Sequence, residues 1–279
     1  MNIAVTGASG FVGRALAARL VAAGHSVYPV KLRVSTTVPP SDAVVHLAGE
    51  PVAQRWTAEA KRRILRSRAE GTRRLVESLG RLSPRPATLI SASAIGVYGA
   101  RGDKFLAEDS APGSGFLADV CVVWERNAGV ANALGIRVVI LRIGVVLGHR
   151  GALARMLPVF KLGAGGRLGS GRQWMSWIHI DDLTALIEFA LGARRLRGPV
   201  NATAPNPVTN AEFTRTLAST LHRPAFAAVP EFALKLMFGE MASVLLDSQR
   251  VLPKAALAAG FQFRYPDLGA ALGDLVGRD

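Results

Sequence analysis

Three glycines at a spacing of three, Gly7, Gly10 and Gly13, stand between a short β-forming run and a helical one. No other feature of the chain restricts its fold as much. Ile3, Ala4 and Val5 read as a strand that stops at Thr6-Gly7, and Ala15, Leu16, Leu20 and Val21 recur at helical spacing behind the glycines. Each glycine has its own task in such a strand–turn–helix. Gly7 can take backbone angles closed to other residues. Gly10 puts no side chain between the backbone and a pyrophosphate, and Gly13 lets the helix lie close to the strand. The helix start then offers free N–H groups and a partial positive charge to an anion. A purely structural turn would use the same glycines, but the strand-to-helix context favours a dinucleotide site built from Gly7, Ser9, Gly10, Phe11, Val12 and Gly13.

A second strand is expected at Ser26–Val30, and in a dinucleotide fold its C-terminal end meets the adenine ribose. An acid there would favour NAD; this chain has Lys31 and Arg33, which favour the 2′-phosphate of NADP, so NADPH is expected over NADH. Residues 34–41 hold only a loop with Pro39-Pro40, so the adenine side of the sheet is expected to be trimmed. The next strand, Ala43–Leu47, runs into a turn whose backbone at Leu47, Ala48 and Gly49 should pass beside the cofactor, with Glu50 just beyond. A helix over 57–79 gathers Ile64, Leu65, Thr72, Leu75, Val76 and Leu79 on one arc. Arg68 falls in the middle of that apolar arc, where a cation needs an anion. It is a candidate for a cofactor or substrate phosphate, with Glu50 as the alternative partner. Strand 88–93 brings Ser91, a further cofactor-binding candidate, and Ser93 toward the same edge, a helix covers 116–134, and a β run covers 136–142. Gly144–Gly148 reads as a turn and Phe261–Phe263 as a short strand.

Taken together these motifs resemble the extended short-chain dehydrogenase/reductases, the NAD-dependent epimerase/dehydratases. Thr6-Gly-Ala-Ser-Gly-Phe-Val-Gly13 has their GxxGxxG spacing, and Asp42-Ala-Val-Val-His-Leu-Ala-Gly49 and Val97-Tyr-Gly99 match their next two strand ends. Leu47-Ala-Gly-Glu50, Ser67-Arg68, Trp124-Glu125, Leu141–Gly148, Gly169–Gln173, Trp177–Asp182, Leu252-Pro-Lys254 and Ala259-Gly-Phe261 resemble an atypical branch that carries a C-terminal domain of unknown function. The resemblance implies an α/β fold. It is a Rossmann-type doubly wound parallel sheet (1–148 and 176–203) with a smaller, mostly helical substrate domain (149–175 and 204–279). It implies hydride transfer on a small carbonyl or hydroxyl compound, by an oxidoreductase or epimerase, with a non-catalytic NADP-binding regulatory protein as the alternative.

The family's mechanism uses a Tyr as acid or base, a Lys four residues on, and a Ser or Thr that orients the carbonyl. Those positions match Cys121, Glu125 and Ala94, with Ser93 beside Ala94. All three roles are altered. The catalytic candidates are therefore Tyr98, expected to face the nicotinamide; Glu125, as a general base; Ser93; and Cys121, which the nearby acid should keep from acting as a nucleophile. Arg172, Trp177 and His179 are candidates for an acidic or aromatic substrate, Asp181 or Asp182 for a helix cap, and His46 for a packed strand residue.

At 279 residues, nearly half apolar, the chain can build a full core. The single cysteine excludes an internal disulfide and any Cys-based zinc site, and no metal is expected. No apolar run reaches membrane-span length, so a soluble, cytoplasmic protein without membrane contact is expected. The formal charge of +14 comes from 28 Arg and 6 Lys, without any nucleic-acid-binding motif or aromatic interleaving. A solvated basic surface accounts for it better than a nucleic-acid partner. A homodimer is left open.

Overall fold

The computed structural model describes residues 1–31 and 37–277; Arg33 lies outside the described residues. The chain opens with β1 (Asn2–Thr6), α1 (Phe11–Ala22), β2 (Ser26–Val30), β3 (Ala43–His46), α2 (Ala58–Gly80) and β4 (Thr88–Ala94). It continues through β5 (Phe105–Leu106), α3 (Phe116–Gly129), β6 (Arg137–Ile143), β7 (Val145–Leu147) and α4 (Ala152–Lys161). Next come β8 (Gly166–Leu168), β9 (Trp174–Met175), β10 (Trp177–His179), α5 (Ile180–Gly192) and β11 (Gly198–Ala202). The remaining elements are β12 (Val208–Thr209), α6 (Asn210–Thr220), β13 (Ala227–Val229), α7 (Glu231–Phe238), α8 (Ser243–Leu246), β14 (Arg250–Val251), α9 (Lys254–Ala258) and α10 (Leu268–Val276).

Six strands form one sheet in the order β11-β6-β4-β3-β1-β2, with every neighbouring pair parallel. Alternate side chains of β1 explain the two layers around it. Ile3 and Val5 pack with Leu16 and Leu20 of α1 and Leu183, Leu186 and Ile187 of α5. Ala4 points the other way, with Val44 and Leu89, onto Leu75, Val76 and Leu79 of α2. Among the described residues the sheet ends at β2, in keeping with the trimmed adenine side that the short stretch before β3 implies. Chain order reverses between β1 and β3, and at such a reversal an open parallel sheet leaves its ligand crevice.

Several local expectations need correction. Gly144–Gly148 is not a plain turn: Val145–Leu147 pairs in parallel with Trp177–His179. Gly144 permits it, because a Cβ there would lie 2.5 Å from the Ser176 carbonyl oxygen. Phe261–Phe263 forms no strand; its rings cluster instead, Phe261 lying 5.5 Å from Phe189 and 4.9 Å from Phe263. Leu65 is 38% exposed, because in its first half α2 covers only Ala60 and Ile64. The cap of α5 is neither aspartate but His179, whose Nδ1 accepts the Asp181 N–H at 3.1 Å. Asp182 accepts the backbone N–H groups of Arg264 and Tyr265 and ties the C-terminal segment to α5.

His46 is a packed strand residue. Its Nδ1 lies 2.6 Å from Thr6 Oγ1 and its Nε2 3.0 Å from Thr72 Oγ1. Burial, with Arg68 adding to it, pushes its pKa down from 6.5 to about 4. A folded pKa below the unfolded one means the unfolded chain binds more protons in between. Stability is therefore complete above about pH 6.5 and falls as pH drops toward 4, by up to about 3 kcal/mol. Urea denaturation at pH 7, 5.5 and 4.5 should show this slope, and His46→Gln should flatten it.

Candidate active site and cofactor cradle

The end of β1 is where backbone crowds backbone. Gly7 has φ +73°, and a Cβ there would stand 2.8 Å from the Leu47 carbonyl carbon and 2.9 Å from the Ala48 nitrogen. At Gly13 a Cβ would stand 2.2 Å from the Gly7 carbonyl oxygen and 2.7 Å from Ala8 Cα. These contacts press strand, turn and helix together at the sheet's reversal. Gly10 is the N-cap of α1, exposed, with no side-chain cap and no acid in the first turn. The N–H groups of Phe11, Val12 and Gly13 precede the helical ladder and have no intrahelical acceptor. Arg14 Nε donates to the Ser9 carbonyl at 2.8 Å and fixes the turn. Phe11 turns away to pack on Gly148 and Gly151.

The facing wall is the turn after β3. Leu47 N–H donates to the Thr6 carbonyl, Ala48 N–H to Thr6 Oγ1 at 3.3 Å, and Glu50 N–H to Ser67 Oγ at 3.0 Å. Gly49 lies bare against Arg68: a Cβ there would meet the guanidinium carbon at 3.1 Å. Arg68 Nη1 donates to the carbonyls of Glu50 (3.0 Å) and Ile64 (3.3 Å), and its guanidinium lies 4.8 Å from the Trp124 ring. Lys31 is exposed at the end of β2.

Beyond this turn, β4, α3 and β6 meet around a buried ion pair. Arg142 Nη2 lies 2.9 Å from Glu125 Oε2 and its Nε 3.0 Å from Glu125 Oε1, while Ser93 Oγ donates to Oε1 at 2.7 Å. Burial alone would weaken the Arg142 charge, but the bonds and charge of Glu125 outweigh it and hold the guanidinium above its ordinary pKa. Arg142 Nη1 also donates to Tyr98 Oη (2.9 Å), which faces Asn201 Oδ1 (2.7 Å) and the Ala107 carbonyl (2.9 Å). Tyr98 is fully buried, and burial raises its pKa despite Arg142. Tyr98, the candidate expected to face the nicotinamide, has its one O–H taken up inside this network.

Cys121 is buried, and burial, with Glu125 adding to it, pushes its thiol up to about 11. At neutral pH the thiolate is on the order of one molecule in ten thousand. Iodoacetamide at pH 7.5 should leave Cys121 unmodified in the native protein and label it in urea, read by intact mass. Ser91 is buried, with its hydroxyl on the Ala92 carbonyl.

The structure brings Ser93, Cys121 and Glu125 together and sets Gly49, Glu50 and Arg68 beside them, but separates Trp177 and His179. Trp177 is fully buried with Nε1 on the Asn206 carbonyl, and His179 is 1% exposed beneath Tyr265, so neither is open to a substrate. Arg172 is exposed. Sequence reasoning missed Arg142. The signal was present, since a cation inside Val138-Val-Ile-Leu-Arg-Ile143 needs a buried anion just as Arg68 does. Asn201 and Glu108, which accepts from the Asn201 N–H at 2.9 Å, carried no such signal.

Comparison with known proteins agrees with this architecture. The sequence model of the NAD dependent epimerase/dehydratase family matches residues 3–202, and a domain of unknown function (DUF1731) matches 229–275. The chain is 40% identical to the epimerase family protein YfhF of Bacillus subtilis, covering 99% of this chain and 98% of that one. It is 36% identical to the epimerase family protein SDR39U1 of Mus musculus, over 99% of this chain and 100% of that one. The crystal structure of human SDR39U1 (isoform 2) with NADPH superposes with a TM-score of 0.92 at 33% identity, covering both chains completely. A strand-to-helix turn stripped of side chains, a parallel sheet that reverses beside it, and this match over most of the length lead to one conclusion: the chain belongs to the NAD-dependent epimerase/dehydratase family.

Proposed function

We propose that this protein binds NADP(H) and works as an oxidoreductase or epimerase, by hydride transfer on a small carbonyl or hydroxyl compound. The observation that carries the reading is the side-chain-free cradle of Gly7, Gly10 and Gly13 ahead of an uncapped helix start at the sheet's reversal. The residues fit a dinucleotide. The N–H groups of Phe11, Val12 and Gly13 would take the pyrophosphate with Ser9 beside them, and Leu47, Ala48 and Gly49 would flank it with bare backbone. Lys31, with Arg33, would hold the 2′-phosphate. The NADPH in the human relative's crystal supports the preference. When bound, the nicotinamide supplies or accepts the hydride. The second segments, 149–175 and 204–279, would supply the substrate side.

Proton handling differs from a Tyr–Lys pair. Ser93 Oγ, on the Glu125 carboxylate, is the hydroxyl placed to orient a carbonyl or relay a proton, and Glu125 with Arg142 is the charged pair behind it. The tight pair and the un-ionised Cys121 also favour a second reading, an NADP-binding regulatory protein without turnover.

Fluorescence titration should give tighter binding of NADPH than NADH, with Lys31→Glu removing the preference; equal affinities would count against NADP selection. A substrate screen followed at 340 nm, with Glu125→Gln and Tyr98→Phe as controls, separates the two readings. Robust turnover removes the regulatory one.

A further inference from the structure

Only one of the three nitrogens of the Arg68 guanidinium has its hydrogen-bonding capacity in use. Nη1 is fixed by two backbone carbonyls and lies 3.5 Å from Ser67 Oγ, whereas Nε and Nη2 meet no hydrogen-bond acceptor among the described residues. The residue is half-buried, and desolvation pulls its pKa below the ordinary arginine value, with the charges of Cys121 and Glu50 opposing that shift. A planar cation clamped at one edge and stacked on an indole has lost its side-chain freedom before any ligand arrives. Trp124, the ring beneath it, carries a second buried N–H without a partner, at Nε1. The buried indole N–H is costly unless something outside the chain satisfies it, and the half-buried Arg68 fork beside it is open to the same ligand.

The position within the sheet says which part of a dinucleotide that is. The crevice lies between β1 and β3, and the two halves of the ligand spread to opposite sides of it. Lys31 marks the β2 side. Arg68 lies on the other side: it touches Gly49 beyond β3 and stacks on Trp124 of α3, the helix that packs on β4.

We propose that Arg68 grips the nicotinamide half of the cofactor, its ribose hydroxyls or the phosphate next to them, while Lys31 serves the adenine half. This rests on the cofactor reading above. The fork of Nε and Nη2 suits a pair of neighbouring oxygens, so the contact needs arginine's shape as well as its charge.

Three ligands separate this from a structural role. NADPH, 2′,5′-ADP (the adenine half alone) and NADH are titrated calorimetrically against wild type, Arg68→Met and Arg68→Lys, with melting temperatures recorded. The expected result is a loss of roughly tenfold or more in NADPH and NADH affinity for Arg68→Met. Arg68→Lys should recover part of it, and 2′,5′-ADP should change less than about twofold in both. An equal loss for 2′,5′-ADP would overturn the proposal, because Arg68 would then act through the fold or the adenine half. No loss for NADPH would overturn it too. Should the wild type bind neither NADPH nor 2′,5′-ADP, the cofactor reading itself fails.

Discussion

Gly13→Ala should destabilise the protein by about 3 kcal/mol and cost at least ~100-fold in NADPH affinity. The new methyl would stand 2.2 Å from the Gly7 carbonyl oxygen, 2.7 Å from Ala8 Cα and 2.9 Å from the Gly7 carbonyl carbon. All three are backbone atoms, which cannot swing aside as a side-chain tip can. Either α1 moves off β1, opening the core around Leu16 and Leu20, or the turn from Gly7 to Gly10 is pushed out of shape. Both routes damage the cradle. Gly71→Ala is the matched control. It lies within α2, nothing stands within 4 Å of its would-be Cβ, and alanine there should stabilise by up to about 1 kcal/mol. Urea denaturation and an NADPH titration on the two variants check both numbers; equal behaviour would mean that the close approach at Gly13 is not what holds the turn.

Breaking the buried ion pair is the second large effect. Arg142 and Glu125 are only 7% and 12% exposed, so removing one leaves the other charged and unpartnered in the interior. Glu125→Leu or Arg142→Met alone should cost about 3–5 kcal/mol. The double variant should cost clearly less than the sum, because each side chain's removal takes away the reason the other is expensive. Arg142→Met carries an added penalty, since Tyr98 Oη and the Glu108 carbonyl lose a donor. Chemical denaturation of the four-member cycle measures the coupling. Strict additivity would mean that the pair does not organise the junction of β4, α3 and β6.

The parts of the fold that local pattern could reveal were legible. The apolar run Ile3–Val5 marks a buried strand, the 3.6-residue stripe of Ile64, Leu75 and Leu79 states which face of its helix is buried, and the glycine spacing states where helix meets strand. Pairings between distant short segments were not. Val145–Leu147 becomes a strand because Trp177–His179 lies beside it, and three residues carry no period of their own. His179 as the cap of α5 escaped notice because aspartates stand two and three residues on and are the commoner caps. The site shows the same division. Arg68 stood out as a cation on an apolar helical stripe, and Arg142 would have stood out by the same test applied to a strand. The direction of the Tyr98 hydroxyl depends on Asn201, 103 residues away, and nothing local specifies it.

The central claim is that the bare turn from Gly7 to Gly13 seats a dinucleotide pyrophosphate. A crystal structure of this chain grown with NADPH tests it most directly. The predicted result has the pyrophosphate on the N–H groups of Phe11, Val12 and Gly13, the 2′-phosphate at Lys31 and the nicotinamide half toward Gly49 and Arg68. A nucleotide bound elsewhere, or one whose pyrophosphate does not touch the first turn of α1, would contradict it.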